Sequence, residues 1–192
     1  MNNKYKVIAL FGPAGSGKDY LLFHLFQTIY GKTQLNKIVT STTRPPRPYE
    51  ADGIHYHFIN TASEFMSGEN LKKWIEFSCF NNWWYGTSID VLTKDKINVG
   101  VFSPNSIKQL LESDEIDCTP ILIWCPDKIR LLRQLKREDS PNCNEICRRF
   151  LADSKDFLNL PFSYKVLENF TDEIQPIVTD LIHIIKEDPT WF

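Results

Sequence analysis

The chain of 192 residues has no apolar run that approaches the length of a membrane span, no internal repeat and no low-complexity linker. No signal-peptide pattern precedes the first predicted strand. Its five cysteines are odd in number and follow no framework spacing, which is typical of a reducing compartment. These absences argue against a membrane-spanning or disulfide-stabilised protein. We expect a cytoplasmic one.

Charge of either sign is not in excess, because 22 Lys and Arg stand against 24 Asp and Glu, for a formal net charge of −2. We therefore expect neither nucleic acid nor an anionic membrane as the main partner. Cys143 and Cys147 could share a helix face, but no further Cys or His stands nearby at ligand spacing, which favours packing over a metal site. The length suits one α/β core with a small inserted lobe.

The most informative stretch is residues 5–27, in which Gly12-x-x-x-x-Gly17-Lys18 is the phosphate-binding P-loop pattern, with Asp19 where Ser or Thr is usual. Glycines let the backbone wrap closely around a phosphate, the following helix adds its positive dipole end, and Lys18 supplies a cation for the β- and γ-phosphates. An apolar run before the loop indicates a buried strand, and apolar residues at helical spacing follow it. We predict a nucleotide-phosphate site made of Gly12, Pro13, Ala14, Gly15, Ser16, Gly17, Lys18 and Asp19.

Residues 40–48 combine four hydroxyl side chains with three prolines, which forbid a helix and ladder pairing. We predict a stiffened loop. Arg44 and Arg47, three residues apart, suit a second phosphate because guanidinium groups bind phosphate oxygens in pairs. A solvated proline-rich turn is the alternative.

In this order the motifs resemble the guanylate kinases, a family of nucleoside-monophosphate kinases. The resemblance starts with the P-loop, continues through the blocks at 41–48, 53–59, 74–77 and 84–88 and the Arg-rich segment after Pro126, and ends near Asn169. It implies a three-layer α/β P-loop NTPase fold with a largely parallel sheet, an inserted mostly-β NMP-binding lobe and a helical lid. A single domain is expected over 1–192, with a core at 1–36 and 97–192, the lobe at about 37–96 and the lid at about 133–149.

Hydrophobic periodicity and turn residues predict the elements after the first helix, which is expected to stop near Gly31. Strands are predicted at 37–39, 54–58, 74–80, 83–85, 97–102, 120–124 and 164–169. Helices are predicted at 62–68, 88–95, 107–112 and 171–186, with one more capped by Asp127 and another that carries the later lid arginines. The aromatic residues are expected mostly in the core, although Trp83 could reshape a pocket: Trp74, Phe77, Phe80, Trp83 and Trp84.

The resemblance also assigns the acceptor site, with Arg44, Arg47, Tyr56 and Tyr85 at the positions that bind the acceptor's phosphate. Thr40 and Thr87 fall at hydroxyl positions that help to recognise the base. Glu76 falls where a carboxylate accepts hydrogen bonds from the ring N–H and amino group of guanine, a donor pair that adenine lacks. Composition alone favours a solvated edge-strand charge for Glu76, and its nine-residue spacing to Tyr85 within the matched block favours base recognition.

The sequence departs from the family pattern at the end of the predicted strand 97–102, where acidic residues are usual. Val101, Phe102, Ser103, Pro104 and Asn105 stand there instead, and among them Ser103 is the polar candidate for the acceptor site. We hypothesise that Asp19 supplies the missing negative charge and holds Mg²⁺ directly or through water. In the alternative, Asp19 only caps the N-terminus of the first helix.

The lid contributes arginines that would stabilise charge on the transferred phosphoryl group. Arg133 and Arg137 match two lid arginines of the family, and Arg149 matches a third, with Arg148 as the alternative register. Asn169 matches the adenine-side position. Without the resemblance, such arginines would more often form a solvated helix face.

The resemblance implies transfer of the ATP γ-phosphate to a nucleoside monophosphate, most simply GMP or dGMP, with ATP and Mg²⁺ required, by a monomer or homodimer. Another nucleoside monophosphate or a sugar phosphate is the alternative acceptor. A non-catalytic phosphopeptide-binding domain, as in scaffolding proteins, is the alternative of another class. The complete glycine pattern, Lys18 and the lid arginines favour the kinase.

Overall fold

A computed structural model describes residues 4–48, 50–137, 139–171 and 173–187. A 3₁₀ turn covers Ile89–Val91. The other elements follow in chain order: β1 (Tyr5–Phe11), α1 (Lys18–Leu25), α2 (Ile29–Gln34), β2 (Leu35–Lys37), β3 (Ser41–Thr42), β4 (His57–Phe58), α3 (Ala62–Phe65), α4 (Gly68–Leu71), β5 (Trp74–Phe80), β6 (Trp83–Ser88), β7 (Ile97–Val101), α5 (Pro104–Glu112), β8 (Ile116–Trp124), α6 (Asp127–Leu135), α7 (Cys143–Asp156), β9 (Lys165–Glu168) and α8 (Ile174–Lys186).

The main sheet is parallel, with the strand order β2-β7-β1-β8-β9. Successive side chains of its central strand point to opposite faces, as the pleat requires. Ile8 and Leu10 pack in the cluster that includes residues of α1 and α8, whereas Val7, Ala9 and Phe11 pack in the cluster that includes residues of α5. Helices therefore cover both faces of the sheet, which confirms the predicted α/β class with a parallel sheet.

A second, mostly antiparallel sheet has the order β4-β3-β6-β5. The turn between β5 and β6 contains Asn81 and Asn82 with φ of 50° and 64°, a pair of positive angles that suits a tight hairpin. Gln109 of α5 joins the two sheets, because its side-chain amide exchanges hydrogen bonds of 3.1 and 3.0 Å with the N–H and C=O of Phe77.

The prediction that the aromatic residues of this lobe lie mostly in its core is only partly correct. Phe65 is fully buried and its ring stacks on Trp74 and Trp84, at centroid distances of 4.5 and 5.9 Å. Phe80 and Trp83 are 52% and 38% exposed because they flank the hairpin turn, beyond the part of the sheet that is covered. Trp83 lies at this exposed tip.

The predicted helix at 88–95 is wrong, because only the short 3₁₀ turn forms there. Asn98 explains the difference. Its amide oxygen accepts a hydrogen bond of 2.9 Å from the N–H of Thr93, and its NH₂ group donates one of 2.8 Å to the carbonyl of the same residue. A fully buried side chain thereby takes the backbone groups that a helix would use.

Several other boundaries differ from the prediction. The first helix ends at Leu25, and a separate helix capped by the Thr28 hydroxyl contains Gly31, so the predicted stop is wrong. The edge strand β2 covers Leu35–Lys37 and so begins two residues before the predicted strand at 37–39. The strand predicted at 54–58 is limited to His57–Phe58, because the backbone of residues 51–56 forms turn hydrogen bonds instead. Ser41–Thr42 of the proline-rich segment form β3, so the prediction that the segment forbids ladder pairing holds for its proline-containing part and not for these two residues. Asp127 does not cap α6, since the N-cap position is Pro126.

None of the helices in the described ranges is long and apolar enough to cross a bilayer.

Candidate functional site

The phosphate loop connects the end of β1 to the start of α1, and glycine occupies positions of the loop where the backbone has a positive φ. Gly15 and Gly17 have φ of 79° and 91°, in the left-handed region. A Cβ on Gly15 would lie 2.6 Å from the carbonyl oxygen of Arg130, and a Cβ on Gly17 would lie 2.5 Å from the side-chain nitrogen of Asn169. The loop is therefore closely enclosed by later parts of the chain.

The loop contains unpaired N–H donors and a half-buried cation. Among the hydrogen bonds of the described ranges, none uses the N–H of Gly15, Gly17 or Lys18. The Lys18 ammonium donates 2.7 and 3.0 Å hydrogen bonds to the carbonyls of Gly12 and Pro13. Burial lowers its pKa, and the charge of Asp19 offsets part of that effect. Free amides and a cation at a helix N-terminus form an anion site.

Ser16 is completely buried inside the loop, and its Oγ is the one buried side-chain polar atom without a partner in the part of the chain that the structure describes. Its carbonyl accepts a 2.7 Å hydrogen bond from the Asn169 side chain. Asn169 is itself held by a 2.8 Å hydrogen bond from its N–H to the carbonyl of Trp124. The loop and the end of β9 are thus fixed to each other.

A cavity of about 300 Å³ opens beside the loop, and its wall consists of Gly17, Tyr20, Arg133, Asn169, Thr171 and Ile174. The Arg133 guanidinium donates to the carbonyls of Asn169 and Thr171 at 3.1 and 3.0 Å, and to the sulfur of Cys125 at 3.4 Å. The structure therefore places Arg133 with Asn169 on the wall of this cavity. Its size and mixed wall suit a nucleotide base.

The other predicted lid arginines lie apart from the cavity. Arg137 is exposed just after the end of α6. Arg148 and Arg149 on α7 both bind Glu145, with N–O distances of 2.7 Å, and lower the pKa of Glu145 to about 2. Arg148 also lies 6.0 Å from the ring centre of Phe80, so α7 contacts the tip of the acceptor lobe. The choice between Arg148 and Arg149 stays open, because Glu145 holds both.

The predicted acceptor-phosphate residues come together around a carboxylate. Glu50 accepts from the Arg44 guanidinium at 2.9 Å and from the N–H of Arg47 at 2.9 Å. Arg44 lies 5.3 Å from the ring centre of Tyr56, and the rings of Tyr56 and Tyr85 have centroids 6.2 Å apart. Glu50 thus fixes two arginines beside two phenols. The four predicted residues therefore belong to one cluster, in which Arg47 is linked to the others through Glu50.

Asp19 follows Lys18 directly in the chain. It is exposed in the first turn of α1, whose N-cap is Gly17 and has no side-chain cap hydrogen bond, so Asp19 is not the cap. Burial raises the pKa of the Tyr56 hydroxyl, and the next largest contribution is the charge of Asp19. The same charge acts on the Lys18 ammonium. The charge of Asp19 therefore acts on both the Lys18 ammonium of the loop and the Tyr56 hydroxyl.

The predicted base-recognition carboxylate is buried within a chain of hydroxyl groups. Glu76 is 3% exposed and accepts a 2.7 Å hydrogen bond from the Thr87 hydroxyl and another from the Ser106 hydroxyl. The Ser103 and Ser106 oxygens are 2.9 Å apart. Burial raises the pKa of Glu76, and the two hydroxyl hydrogen bonds offset part of that rise. The alternative that composition alone favours, a solvated edge-strand charge, does not hold, because Glu76 is buried.

The strand end that lacks acids is apolar in the structure as well. Phe102 is 7% exposed and packs in the core, and Ser103 caps α5 by accepting a hydrogen bond from the N–H of Ser106. This cap orients Ser106 towards Glu76. Thr40 lies near β3 and its carbonyl accepts from the N–H of His57. Its hydroxyl is not part of the chain of hydroxyl groups around Glu76.

Sequence reasoning missed several residues of the site. Glu50 carries a local signal, since a carboxylate three residues after Arg47 can balance the arginines. Ser106 also carries one, because a Ser-Pro-x-Ser pattern places a second hydroxyl next to a helix cap. Tyr20 follows the loop directly. No local pattern marks the contact of Asp153 with the loop, since 139 positions separate the two residues.

In the described ranges, no three His, Cys, Asp or Glu side chains group together as metal ligands. Any cation held by the described residues would therefore need oxygens from a bound phosphate or water in addition to at most two such side chains.

Comparison with known proteins identifies the family to which this chain is similar. The family model of guanylate kinase matches residues 4–187. Guanylate kinase of Campylobacter jejuni (strain RM1221) is 40% identical over 168 residues, which cover 85% of this chain and 80% of that protein. The crystal structure of guanylate kinase from Anaplasma phagocytophilum has a TM-score of 0.64 over 96% of this chain and 86% of that one, and at 16% identity it supports the fold alone.

Other alignments span smaller parts of the relatives. Guanylate kinase of Helicobacter pylori (strain J99) is 39% identical over 88 residues, 46% of this chain and 41% of that protein. MAGUK p55 subfamily member 7 of Xenopus tropicalis is 35% identical over 142 residues, which are 71% of this chain and 23% of that protein. The match from residue 4 to residue 187, together with the Campylobacter relative, establishes the family. The chain belongs to the guanylate kinase family.

Proposed function

We propose that this protein transfers the γ-phosphate of ATP to GMP or dGMP. The observation that supports this acceptor most directly is the buried Glu76 carboxylate. Guanine presents a ring N–H and an amino N–H side by side, and one carboxylate can accept both, whereas adenine offers no such pair. Each carboxylate oxygen can accept more than one hydrogen bond, so Glu76 can accept both guanine donors in addition to its protein partners, and bases that lack these donors lose those hydrogen bonds. The relatives named guanylate kinase support the same acceptor.

The proposed reaction is a direct transfer between two phosphate sites. Lys18 and the unpaired loop N–H groups hold the β- and γ-phosphates of ATP, while Arg44 and Arg47 hold the phosphate of the acceptor. Arg149, once its pairing with Glu145 is exchanged for phosphate oxygens, stabilises charge on the transferred group. The protein positions the reactants and stabilises charge, and no covalent intermediate with the enzyme is required.

Mg²⁺ fits this site through Asp19. The exposed carboxylate acts electrostatically on both Lys18 and Tyr56, and hard oxygen ligands are those that Mg²⁺ prefers. We propose that Asp19 holds the ion directly or through water, with phosphate oxygens completing the coordination. When bound, Mg²⁺ would neutralise charge on the β- and γ-phosphates.

Replacing Asp19 with Asn should raise the concentration of free Mg²⁺ needed for half-maximal rate by roughly tenfold, the equivalent of about 1.4 kcal/mol. The amide keeps the size of the side chain but lacks the negative charge that attracts the cation. The measurement is initial rate against free Mg²⁺ at saturating ATP and GMP. Asp180→Asn, an exposed carboxylate on α8, is the matched control and should leave the Mg²⁺ midpoint unchanged. An unchanged midpoint in D19N, with only a lower thermal stability, would restrict Asp19 to its effect on the helix dipole.

The acceptor is tested by ADP release with ATP and Mg²⁺ across the common ribo- and deoxyribonucleoside monophosphates. We expect activity with GMP and dGMP and at least about 10²-fold lower kcat/KM with AMP, CMP and UMP. Efficient transfer to another base would contradict the role given to Glu76. No transfer to any nucleotide, with ATP still bound, would favour a sugar phosphate or a non-catalytic phosphopeptide-binding domain.

A further inference from the structure

A buried guanidinium connects the lid helices with the phosphate loop. Arg130 of α6 is 3% exposed, and its Nε and Nη2 donate to Asp127 at 3.3 and 2.9 Å. Its Nη1 donates to Asp153 of α7 at 3.3 Å, and its plane lies 4.5 Å from the ring centre of Phe150. Because arginine keeps its charge even when buried, these carboxylates hold it in one place.

The same ion pair also contacts Ala14 inside the phosphate loop, from both sides. The Asp153 carboxylate accepts a 2.7 Å hydrogen bond from the Ala14 N–H, and the Arg130 Nη1 donates a 3.1 Å hydrogen bond to the Ala14 carbonyl. Gln134 adds a longer hydrogen bond of 3.4 Å to that carbonyl. Both peptide groups of Ala14 are thereby fixed by residues that lie more than a hundred positions away.

The position of this contact matters for the loop. Ala14 precedes Gly15, whose close approach to the Arg130 carbonyl leaves no room for a side chain. The N–H of Ala14 is occupied by Asp153, whereas those of Gly15, Gly17 and Lys18 are unpaired in the described ranges. The ion pair thus restrains the entrance of the loop and leaves the later donors for phosphate.

The ion pair between Arg130 and Asp153 also reduces the repulsion that the Asp153 carboxylate would exert on a bound phosphate. An isolated carboxylate so close to the loop would repel a phosphate. Burial lowers the pKa of Lys18, and the smaller contributions of Asp153 and Arg130 act on it in opposite directions. The pair therefore supplies hydrogen bonds to the loop and adds little net charge.

We propose that Arg130 and Asp153 are positioning residues that hold the phosphate loop in its phosphate-binding conformation and connect it to α7, the helix that carries Arg149. The inference rests on the proposed function only in that the phosphate belongs to ATP. Neither residue contacts the reacting atoms. Their effect is expected on the affinity for ATP, with little effect on the acceptor.

The test compares Asp153→Ala with Asp153→Asn and with Asp127→Asn. Each removes a carboxylate partner of Arg130, but only Asp153 also contacts the loop, so D127N is the matched control. The equilibrium dissociation constant for ATP is measured by calorimetry without acceptor. Amide hydrogen exchange of the segment 12–18 is measured without nucleotide. We expect D153A to raise the dissociation constant roughly tenfold and to speed exchange of this segment.

The other variants separate positioning from general stability. D153N can still accept from the Ala14 N–H and should stay within about threefold of the wild type in ATP affinity, and D127N within about twofold. The KM for GMP should change less than about twofold in all three. Equal effects of D153A and D127N on ATP affinity and on exchange would overturn the inference and leave Asp153 a structural partner of Arg130.

Two outcomes keep the inference distinct from the proposed function. If the wild type binds no ATP, the proposed function fails, while the exchange comparison still tests whether Asp153 restrains the loop. If D153A does not fold, Arg130→Lys replaces it, since a lysine keeps the charge but cannot reach both carboxylates and the Ala14 carbonyl. R130K should then raise the dissociation constant for ATP severalfold more than D127N, and equality of the two would overturn the inference.

Discussion

Replacing Lys18 with Met is expected to lower kcat by roughly 10³-fold, which is the upper range for the loss of one preorganised electrostatic donor at a transition state. The Lys18 ammonium is held at the mouth of the loop by the carbonyls of Gly12 and Pro13, so it is placed before any phosphate arrives. Methionine keeps the length of the apolar stem and removes the charge that would bind the β- and γ-phosphates. The measurement is the steady-state rate with saturating ATP and GMP.

Two controls show whether the loss arises from charge at this position or from damage to the fold. Lys18→Arg keeps a positive charge in a wider planar group that cannot occupy the same point between two carbonyls, so it should recover only a small part of the activity. Lys32→Met, which changes an exposed side chain on α2, should leave kcat unchanged. A K18M protein with nearly normal kcat would contradict the assignment of the loop as the site of the transferred phosphate.

The phosphate loop and the acceptor pocket could be predicted from the sequence because both depend on local chemistry. Glycine spacing determines where a loop can turn, and Arg44 and Arg47 lie in a rigid segment that is short enough to keep them together. The buried partner of Glu76 in α5 could not be derived in this way. Ser106 follows Glu76 by thirty positions in the chain, and only the packing of β5 against α5 brings their side chains together.

Two of the errors have identifiable physical causes, which differ from each other. The sequence at 88–95 favours a helix locally, but the amide of Asn98 captures the backbone of Thr93. Phe80 and Trp83 have the composition of a core, yet they flank a turn that extends beyond the packed part of the lobe. The catalytic role predicted for Arg133 stays a prediction, and the carbonyls of Asn169 and Thr171 hold its guanidinium beside the cavity.

Replacing Glu76 with Gln should lower kcat/KM for GMP by roughly 10³-fold, equivalent to about 4 kcal/mol, because truncation of a buried charged hydrogen-bond partner has effects of this order. The amide has one acceptor oxygen where the carboxylate has two, and its NH₂ group would face a donor of the base. We expect most of the loss with GMP and little change in the affinity for ATP. The measurement is kcat/KM for GMP and dGMP beside ATP binding.

The same substitution should make the protein more stable at neutral pH. Glu76 is buried and its folded-state pKa is raised by that burial, so folding favours the protonated carboxyl over the charged one. The stability contributed by the protonated group is present below the unfolded-state pKa and is lost as the pH rises through the raised folded-state pKa. Glutamine does not titrate, so E76Q avoids this loss, and we expect a gain of roughly 1–3 kcal/mol at pH 7 that disappears near pH 4.

E76Q would then lower the activity with GMP and raise the stability of the fold. A carboxylate with only a structural role would not show these opposite changes. If Glu76 served only to accept hydrogen bonds from Thr87 and Ser106, its replacement would lower the stability of the fold. It would also change kcat/KM by a similar factor for every nucleoside monophosphate. The melting temperature of the wild type and E76Q between pH 4 and pH 8 supplies the test, with the exposed Glu64→Gln of the same lobe as a control that should change neither property. A lower melting temperature for E76Q at pH 7 would contradict the reasoning. The expected result, a more stable protein that no longer discriminates guanine, would mean that the buried charge is retained for recognition at the expense of the fold.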